Sequence, residues 1–325
     1  MHAPSAFPLP IPAGPPIPNP NPGEGPSRPV VVTGAGGYIG RALLAELRRR
    51  GHPVRALLRR LPGSTALRED PGLQWLQVDL DDAAAVARAV EGAAAVIHLA
   101  FEVRRTRADQ ADLTQRVLRH LVAPLDAEAR FVLVSSFSVY DWRQVGAVLQ
   151  ADSPLLAPHE QTPWYGDYAH LKRRQEHWAG QICAAAGVPL HVLRPSRVYD
   201  RERVPADLVG IGLGPLLLVP RARRQAHVIE RQACAAAIAD ALAPEATAGV
   251  RLLTASPAPA LLDWARPLLP HRRLLALPRP VEWPLRLLHP LAAWALRRGW
   301  PVPGLLLRHR YEARYTTARV GPLEG

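Results

Sequence analysis

Three glycines follow a short apolar run near the start of the chain at intervals of three residues. The run is Val30–Val32, and the glycines after it are Gly34, Gly37 and Gly40. An amphipathic stretch then continues to Arg50, so the pattern predicts a strand, a tight turn and a helix in that order. Unpaired N–H groups at the start of such a helix attract anions, and glycine lets a phosphate approach the backbone closely. The stretch therefore predicts a dinucleotide-binding turn, with a purely structural glycine turn as the alternative.

The basic charge of the chain comes almost entirely from arginine. The 325 residues carry a formal net charge of +12, and Lys172 is the only lysine among 40 basic residues. Nucleic acid is one partner that such a charge suits, but the arginines are spread along the chain and form no single basic stretch. We interpret the charge as a general bias towards arginine and predict no nucleic-acid partner.

Targeting and metal-binding signals are not apparent in the sequence. The two cysteines, Cys183 and Cys234, have neither metal-ligand spacing nor a disulfide pattern, so we expect buried free thiols and no metal. No run of 18 apolar residues predicts a membrane span, and the N-terminus lacks the layout of a signal peptide. These features favour a cytoplasmic location.

Three regions follow from the order of the elements. Residues 1–29 are proline-rich and predict a disordered tail. Residues 30–195 alternate apolar runs with helical runs, which predicts an α/β fold with a Rossmann-type, doubly wound parallel sheet. Residues 196–325 predict a smaller, mostly helical substrate-binding lobe, with 226–254 returning to the Rossmann domain. Predicted strands lie at 30–32, 54–58, 73–78, 94–99, 131–135, 190–194 and 250–254, and predicted helices at 83–91, 108–123 and 168–186.

Tyr168 and Lys172 are spaced one helical turn apart. A phenol is a poor proton donor or acceptor at neutral pH, and a cation at i+4 is expected to lower its pKa. Arginine cannot take part in proton sharing in the way lysine can, and the single lysine of the chain falls at this spacing. We therefore predict a catalytic pair, with chance surface placement as the alternative.

Ser136 follows the predicted strand 131–135. The carboxyl ends of strands in a doubly wound sheet face the ligand crevice, so its hydroxyl is placed to bond a substrate oxygen. A serine after a strand is also a common cap or turn residue.

Six motifs in this order resemble the extended short-chain dehydrogenase/reductase superfamily, the NAD-dependent epimerase/dehydratase family. The C-terminal part is similar to the branch of 3β-hydroxysteroid dehydrogenase-like and dihydroflavonol reductase-like proteins. The resemblance covers about Val30 to Thr254. Its motifs are Thr33-Gly-Ala-Gly-Gly-Tyr-Ile-Gly40, Val78-Asp-Leu80, Val96-Ile-His-Leu-Ala100, Val134-Ser-Ser-Phe-Ser-Val-Tyr140, Tyr168-x-x-x-Lys172 and Leu193-Arg-Pro-Ser-Arg-Val-Tyr199.

The resemblance assigns roles to residues of this chain. Tyr168 is the general acid/base, Lys172 lowers its pKa and binds the cofactor ribose, and Ser136 polarises the substrate oxygen. Hydride then passes between a nicotinamide and a secondary alcohol or ketone. The implied cofactor-binding residues are Gly34, Gly37, Tyr38, Ile39, Gly40, Asp79, Leu80, Leu99, Ala100, Lys172 and Pro195.

The second predicted strand bears on the choice of cofactor. NAD enzymes tend to place a carboxylate about 20 residues past the glycines, for the ribose 2′-hydroxyl. This chain has Arg59 and Arg60 there and no acid before Glu69. We favour NADP(H), with Arg59 facing the 2′-phosphate, and NAD(H) remains the alternative.

Substrate and assembly are left open by the sequence. The lobe favours a lipophilic alcohol or ketone, whereas Arg194, Arg197 and Arg201 suit the diphosphate of a nucleotide-sugar. Tryptophans beside arginines in 275–319 predict core packing, with peripheral membrane contact as the less favoured reading. Departures such as Leu171 before the lysine, where the family often has serine, keep a second function open, a non-catalytic dinucleotide-binding sensor or scaffold. A homodimer is usual in the resembled family.

Overall fold

The computed structural model describes residues 28–61, 70–101, 107–159, 165–219, 222–276 and 319–320. Short 3₁₀ turns lie at Phe137–Val139 and Asp240–Leu242. The strands and helices are, in chain order, β1 (Val30–Thr33), α1 (Tyr38–Arg49), β2 (Val54–Leu58), β3 (Leu73–Gln77), α2 (Ala83–Val90), β4 (Ala95–His98), α3 (Arg107–Val122), β5 (Arg130–Val134), β6 (Val148–Leu149), α4 (Asp167–Ala186), β7 (Leu190–Pro195), β8 (Arg197–Tyr199), α5 (Ala206–Val209), β9 (Ile211–Leu213), β10 (Leu216–Val219), β11 (Val228–Glu230), α6 (Arg231–Ala239), β12 (Gly249–Leu253), α7 (Leu261–Leu268), β13 (Arg273–Ala276) and β14 (Arg319–Val320).

A seven-stranded sheet organises the chain. Its strand order is β12-β7-β5-β4-β1-β2-β3, and every neighbouring pair is parallel. The chain runs outward from β1 to β3 and then crosses to β4 on the other side of β1. The carboxyl ends of β1 and β4 therefore border a topological switch point, where doubly wound folds bind their ligands. The predicted Rossmann-type fold is confirmed.

Helices cover both faces of this sheet, which explains why its central strand β1 is buried throughout. Val30 and Val32 point to one face, where they pack with α1 and α6. Val31 points to the other face and packs with side chains of α2, α3 and α4. Alternate residues of one strand thus enter two separate cores, and all four residues of β1 are buried.

The region after residue 195 combines strands with helices. Strand β8 pairs with β11, and β10 lies between β9 and β13 in a second, three-stranded sheet. Its apolar core includes Tyr140, Trp142 and Trp264. Strand β12 returns to the edge of the main sheet beside β7. The described part of this predicted mostly helical lobe therefore contains strands as well as helices. Residues 277–318 and 321–325 of the lobe lie outside the described residues, as does the proline-rich tail to residue 27.

The sequence predictions agree closely with the observed elements. The second strand has the predicted bounds, 54–58, and the helix predicted at 168–186 begins one residue earlier, at Asp167. Both cysteines are buried free thiols, as predicted, and burial raises the pKa of each to about 12. None of the helices in the described ranges has the length and apolar character needed to cross a membrane.

Candidate active site

The glycine turn lies at the carboxyl end of β1, beside the end of β4. Gly34 has a φ of +68°, and a Cβ on it would lie 2.7 Å from the backbone nitrogen of Ala100. A Cβ on Gly40 would lie 2.3 Å from the carbonyl oxygen of Gly34 and 2.7 Å from that of Ala35. Both positions require glycine because the turn, the first turn of α1 and the end of β4 approach one another at backbone distance.

The start of α1 fits an anionic ligand. Gly37 occupies the N-cap position, and no side chain caps the helix. The first turn, which contains Tyr38, Ile39 and Gly40, carries no acidic residue, so the positive end of the helix dipole is not neutralised there. Gly36 and Gly37 are exposed at the same point. A pyrophosphate can therefore approach the N–H groups of this turn, as the sequence predicts.

The remaining predicted cofactor residues follow other strands at the same edge of the sheet. Arg59 is exposed directly after β2, and Leu99 and Ala100 are half-buried after β4. Asp79 is exposed after β3, where its Oδ1 accepts the N–H of Asp81 at 3.0 Å and closes a local turn. Buried Leu80 and buried Pro195, at the end of β7, complete this set.

The structure brings Ser136 and Tyr168 together. Ser136 follows β5 and caps the short turn after it, because its Oγ accepts the N–H of Ser138 at 3.1 Å. Its side chain also forms a hydrogen bond with the hydroxyl of Tyr168, which lies in the first turn of α4. The Tyr168 ring packs edge-on against Phe101, with 5.1 Å between ring centroids. Both hydroxyls therefore lie at the carboxyl edge of the sheet, near the ends of β4 and β5.

Lys172 lies one turn further along α4 and is deeply buried. Its Nζ donates to the carbonyl oxygen of Val134 and to Oε1 of Gln175, both at 2.9 Å, and lies 5.3 Å from the centroid of the Phe101 ring. Only 3% of the residue is exposed. Burial lowers the pKa of Lys172 to about 8, although the charge of Glu176 acts in the opposite direction.

The pKa of Tyr168 is raised, contrary to the expectation that Lys172 lowers it. The side chain is 46% exposed, yet the protein atoms around the phenol still disfavour its charged form. The hydrogen bond with Ser136 and the positive charge of Arg197 lower the pKa, but burial outweighs both. The ammonium of Lys172 instead bonds Val134 and Gln175. Without a ligand, the tyrosine is therefore held in its neutral form.

Comparison with known protein families identifies the ligand class of this edge. A family profile described as NAD(P)H-binding matches residues 34–245, from the first glycine of the turn to beyond α6. The chain belongs to this NAD(P)H-binding family. No curated protein sequence matches the chain significantly.

Several solved structures share the fold of this chain. A short-chain dehydrogenase/reductase superfamily protein from Agrobacterium tumefaciens, solved with bound NAD, is 22% identical, with a TM-score of 0.57 over 76% of this chain and 84% of that one. UDP-N-acetylglucosamine 4-epimerase from Bacillus cereus is 17% identical, with a TM-score of 0.57 over 77% and 85% of the two chains. UDP-glucuronic acid 4-epimerase from the same organism, in complex with NAD, is 17% identical, with a TM-score of 0.57 over 76% and 87%. The predicted fold of the extended short-chain dehydrogenase/reductase superfamily is thus confirmed.

A buried histidine braces the glycine turn and was not predicted from the sequence. Nδ1 of His98, at the end of β4, lies 2.7 Å from Oγ1 of Thr33, at the end of β1. The N–H of Ala100 donates to the same hydroxyl at 3.3 Å. Burial and the charge of Lys172 lower the pKa of His98 to about 3, so the imidazole is neutral at physiological pH. It therefore fixes the two strand ends without adding charge to the site.

Tyr38 connects the glycine turn with the second lobe. The guanidinium groups of Arg203 and Arg231 lie 4.8 and 5.0 Å from the centre of its ring. Asp200 pairs with Arg231 at 3.1 Å and, together with burial, raises the pKa of Tyr38 to about 12. The start of α6 and the loop after β8 therefore contact the first residue of α1.

Arg194 serves the fold and is not placed to hold a diphosphate. Its side chain is 3% exposed and forms a two-pronged ion pair with Glu176 of α4, at 2.9 and 2.8 Å. Its remaining terminal nitrogen, Nη1, donates to the hydroxyl of Tyr140 and to the carbonyl oxygen of Ala151. The sequence suggestion that Arg194 binds a substrate diphosphate is therefore wrong, since these partners occupy the guanidinium inside the protein.

Proposed function

We propose that the protein is an NAD(P)-dependent oxidoreductase or epimerase that exchanges a hydride and a proton at a secondary alcohol or ketone. The observation that carries this proposal is the placement of the Ser136–Tyr168 pair and the buried ammonium of Lys172 at the edge of the sheet that holds the glycine turn. A protein that only bound a dinucleotide would need the turn but not the pair. The nicotinamide of the bound cofactor would supply the hydride chemistry.

Each residue of the chain has a separate task in this proposal. The glycine turn and the start of α1 bind the pyrophosphate, and the Lys172 ammonium bonds a ribose hydroxyl. Ser136 donates a hydrogen bond to the substrate oxygen and orients it towards Tyr168. Tyr168 donates its hydroxyl proton to that oxygen in reduction and accepts it in oxidation. Because the pKa of Tyr168 is raised, its neutral form dominates at neutral pH, and this form carries the proton that reduction requires.

The substrate class we propose first is a nucleotide-sugar. Arg197 lies close enough to Tyr168 for its charge to lower the pKa of the tyrosine, so a cation borders the reacting hydroxyl. Such a cation suits an anionic substrate group. The two epimerases with this fold are named for UDP-sugars. A lipophilic ketone is the second candidate, since the apolar cluster around Tyr140 and Trp264 lies in the lobe beside the site.

NADP(H) is the cofactor that we propose over NAD(H). Arg59 is exposed at the carboxyl end of β2, the position at which an acid would bind the ribose 2′-hydroxyl of NAD. A guanidinium pairs well with a phosphate, through two parallel hydrogen bonds. Asp79, after β3, is an acid at the same edge, but its Oδ1 closes the local turn with the N–H of Asp81.

We expect Arg59→Ala to weaken NADPH binding by about 10- to 150-fold, which corresponds to the loss of a charge-assisted hydrogen bond of about 1.5–3 kcal/mol. NADH binding should hardly change, because NADH has no 2′-phosphate. Fluorescence titration of the purified protein with both nucleotides measures this. Arg88→Ala is the matched control, since Arg88 is an exposed arginine in the last turn of α2, at the opposite edge of the sheet. If the wild type prefers NADH and Arg59→Ala binds both nucleotides as the wild type does, the assignment of Arg59 to the 2′-phosphate is wrong.

Gly40→Ala tests whether the turn itself binds the cofactor. Its Cβ would meet two backbone carbonyls, so residues 34 and 35 must shift. Overpacking of this kind costs about 1–3 kcal/mol, or about 5- to 150-fold if taken from NADPH affinity. Gly146→Ala is the control, because Gly146 is exposed outside the turn and a Cβ on it would meet nothing within 4 Å. Equal affinities in the two folded variants, measured by the same titration, would refute binding at this turn.

A further inference from the structure

The ammonium group of Lys172, the only lysine of the chain, is enclosed by three parts of the protein. The Nζ of Lys172 lies between the end of β5, the next turn of α4 and the ring of Phe101. Val134 and Gln175 accept two of its three N–H donors. A buried cation is costly unless such partners compensate for lost water, so these acceptors keep the lysine charged.

Of the two groups that accept hydrogen bonds from Lys172, only Gln175 is not required by the fold. The Val134 acceptor is a backbone carbonyl that any residue would supply, whereas the Gln175 acceptor belongs to a side chain. Gln175 is 2% exposed, and a glutamine at such a site loses its contact with water. Its position three residues after Lys172 places both side chains on one face of α4. An apolar residue would bury no polar group at this position, so the presence of an amide indicates that its hydrogen bond to the Lys172 ammonium matters.

We infer that Gln175 is a positioning residue, whose amide oxygen holds the Lys172 ammonium against β5 and leaves the third N–H for a hydroxyl of the cofactor ribose. The ribose part of this inference rests on the proposed function. The part that concerns Gln175 and Lys172 alone does not, because their contact is present without a cofactor.

The groups around Lys172 make its charge sensitive to this one contact. His98 faces it from β4 as a neutral imidazole, and Tyr168 lies one turn before it as a neutral phenol. Glu176 favours the charged form but is itself paired with Arg194. Burial has already lowered the pKa of Lys172 to about 8. Loss of the Gln175 acceptor would therefore leave the lysine largely uncharged at neutral pH.

The single lysine allows a direct measurement. Labelling with lysine enriched in ¹³C at Cε gives one lysine signal from the whole chain, and its shift against pH reports the pKa of Lys172. We expect the midpoint in Gln175→Met to fall by about one to two pH units, because a hydrogen bond to the charged form is lost. In Gln175→Glu we expect it to rise, because a carboxylate stabilises the ammonium. Gln232→Met, at an exposed glutamine of α6, should leave it unchanged.

NADPH affinity is the second readout. In Gln175→Met, binding at pH 8 should weaken by about 5- to 50-fold, because a fall of one to two pH units lowers the charged fraction of Lys172 by that factor, and it should recover as the pH falls below the new midpoint, where the ammonium returns. Circular dichroism checks that each variant is folded. If Gln175→Met does not fold, the midpoint of Gln175→Glu alone tests the inference. Unmoved midpoints in both folded variants would overturn the inference. Failure of the wild type to bind either NADPH or NADH would overturn the proposed function and the ribose part, while shifted midpoints would still establish the Gln175–Lys172 contact.

Discussion

Tyr168→Phe should lower kcat by about 10²- to 10⁴-fold, the usual contribution of a positioned proton donor, and leave the Kd for NADPH nearly unchanged. The variant keeps the ring that packs against Phe101 and removes only the hydroxyl that bonds Ser136. Oxidation of NADPH is followed at 340 nm with a panel of 4-keto nucleotide-sugars and lipophilic ketones. The comparison uses the ketone that the wild type reduces fastest.

The matched control is Tyr199→Phe, which removes a phenol hydroxyl from β8 while the ring remains against Trp264. Its kcat should stay close to that of the wild type. Because the pKa of Tyr168 is raised, wild-type kcat at saturating NADPH should be constant through neutral pH and fall in alkaline solution, where the phenol loses its proton. Equal turnover by Tyr168→Phe and the wild type would refute the proposed role. A wild type that binds NADPH but neither reduces any of the ketones nor epimerises a UDP-sugar would favour the sensor or scaffold alternative.

The fold could be predicted because its signals are local. Strands such as β1 are continuous β-branched runs between turns, and their length and composition separate them from the amphipathic helices. The glycines indicate a close backbone approach before any partner is known. Gly40 proved to be the position at which a Cβ would meet the backbone of the turn. The order of elements then left few topologies open.

The contacts that fix the site could not be predicted because they join residues from separate elements. The i+4 spacing of Tyr168 and Lys172 suggested that the cation lowers the pKa of the phenol. Spacing contains no information about burial. Here the effect of burial on the pKa of Tyr168 is larger than the lowering by the Ser136 hydrogen bond and the Arg197 charge, so the pKa is raised. The brace between Thr33 and His98 spans 65 residues and depends on the pairing of β1 with β4. Arg194 looked like a ligand for anions, since a sequence does not show where a side chain points.

Arg194→Leu should reduce the free energy of unfolding by about 3–5 kcal/mol, the usual cost of breaking a buried ion pair by removing one partner. The leucine would leave the Glu176 carboxylate buried, with 5% of its side chain exposed, and would also remove the hydrogen bonds to Tyr140 and Ala151. The Arg194 guanidinium connects β7, α4 and the loop after β5, so its loss should loosen the elements that carry Ser136 and Lys172. Urea denaturation followed by circular dichroism measures the change.

The double variant Arg194→Leu/Glu176→Leu separates the charge from the packing. Replacing both members of a buried pair with apolar residues is often neutral or stabilising, so much of the lost stability should return. Arg116→Leu is the surface control, because its ion pair with Asp81 is largely open to solvent, and its effect should be small. If the double variant is no more stable than Arg194→Leu, the unpaired carboxylate is not the cause, and the lost bonds to Tyr140 and Ala151 are what hold the loop.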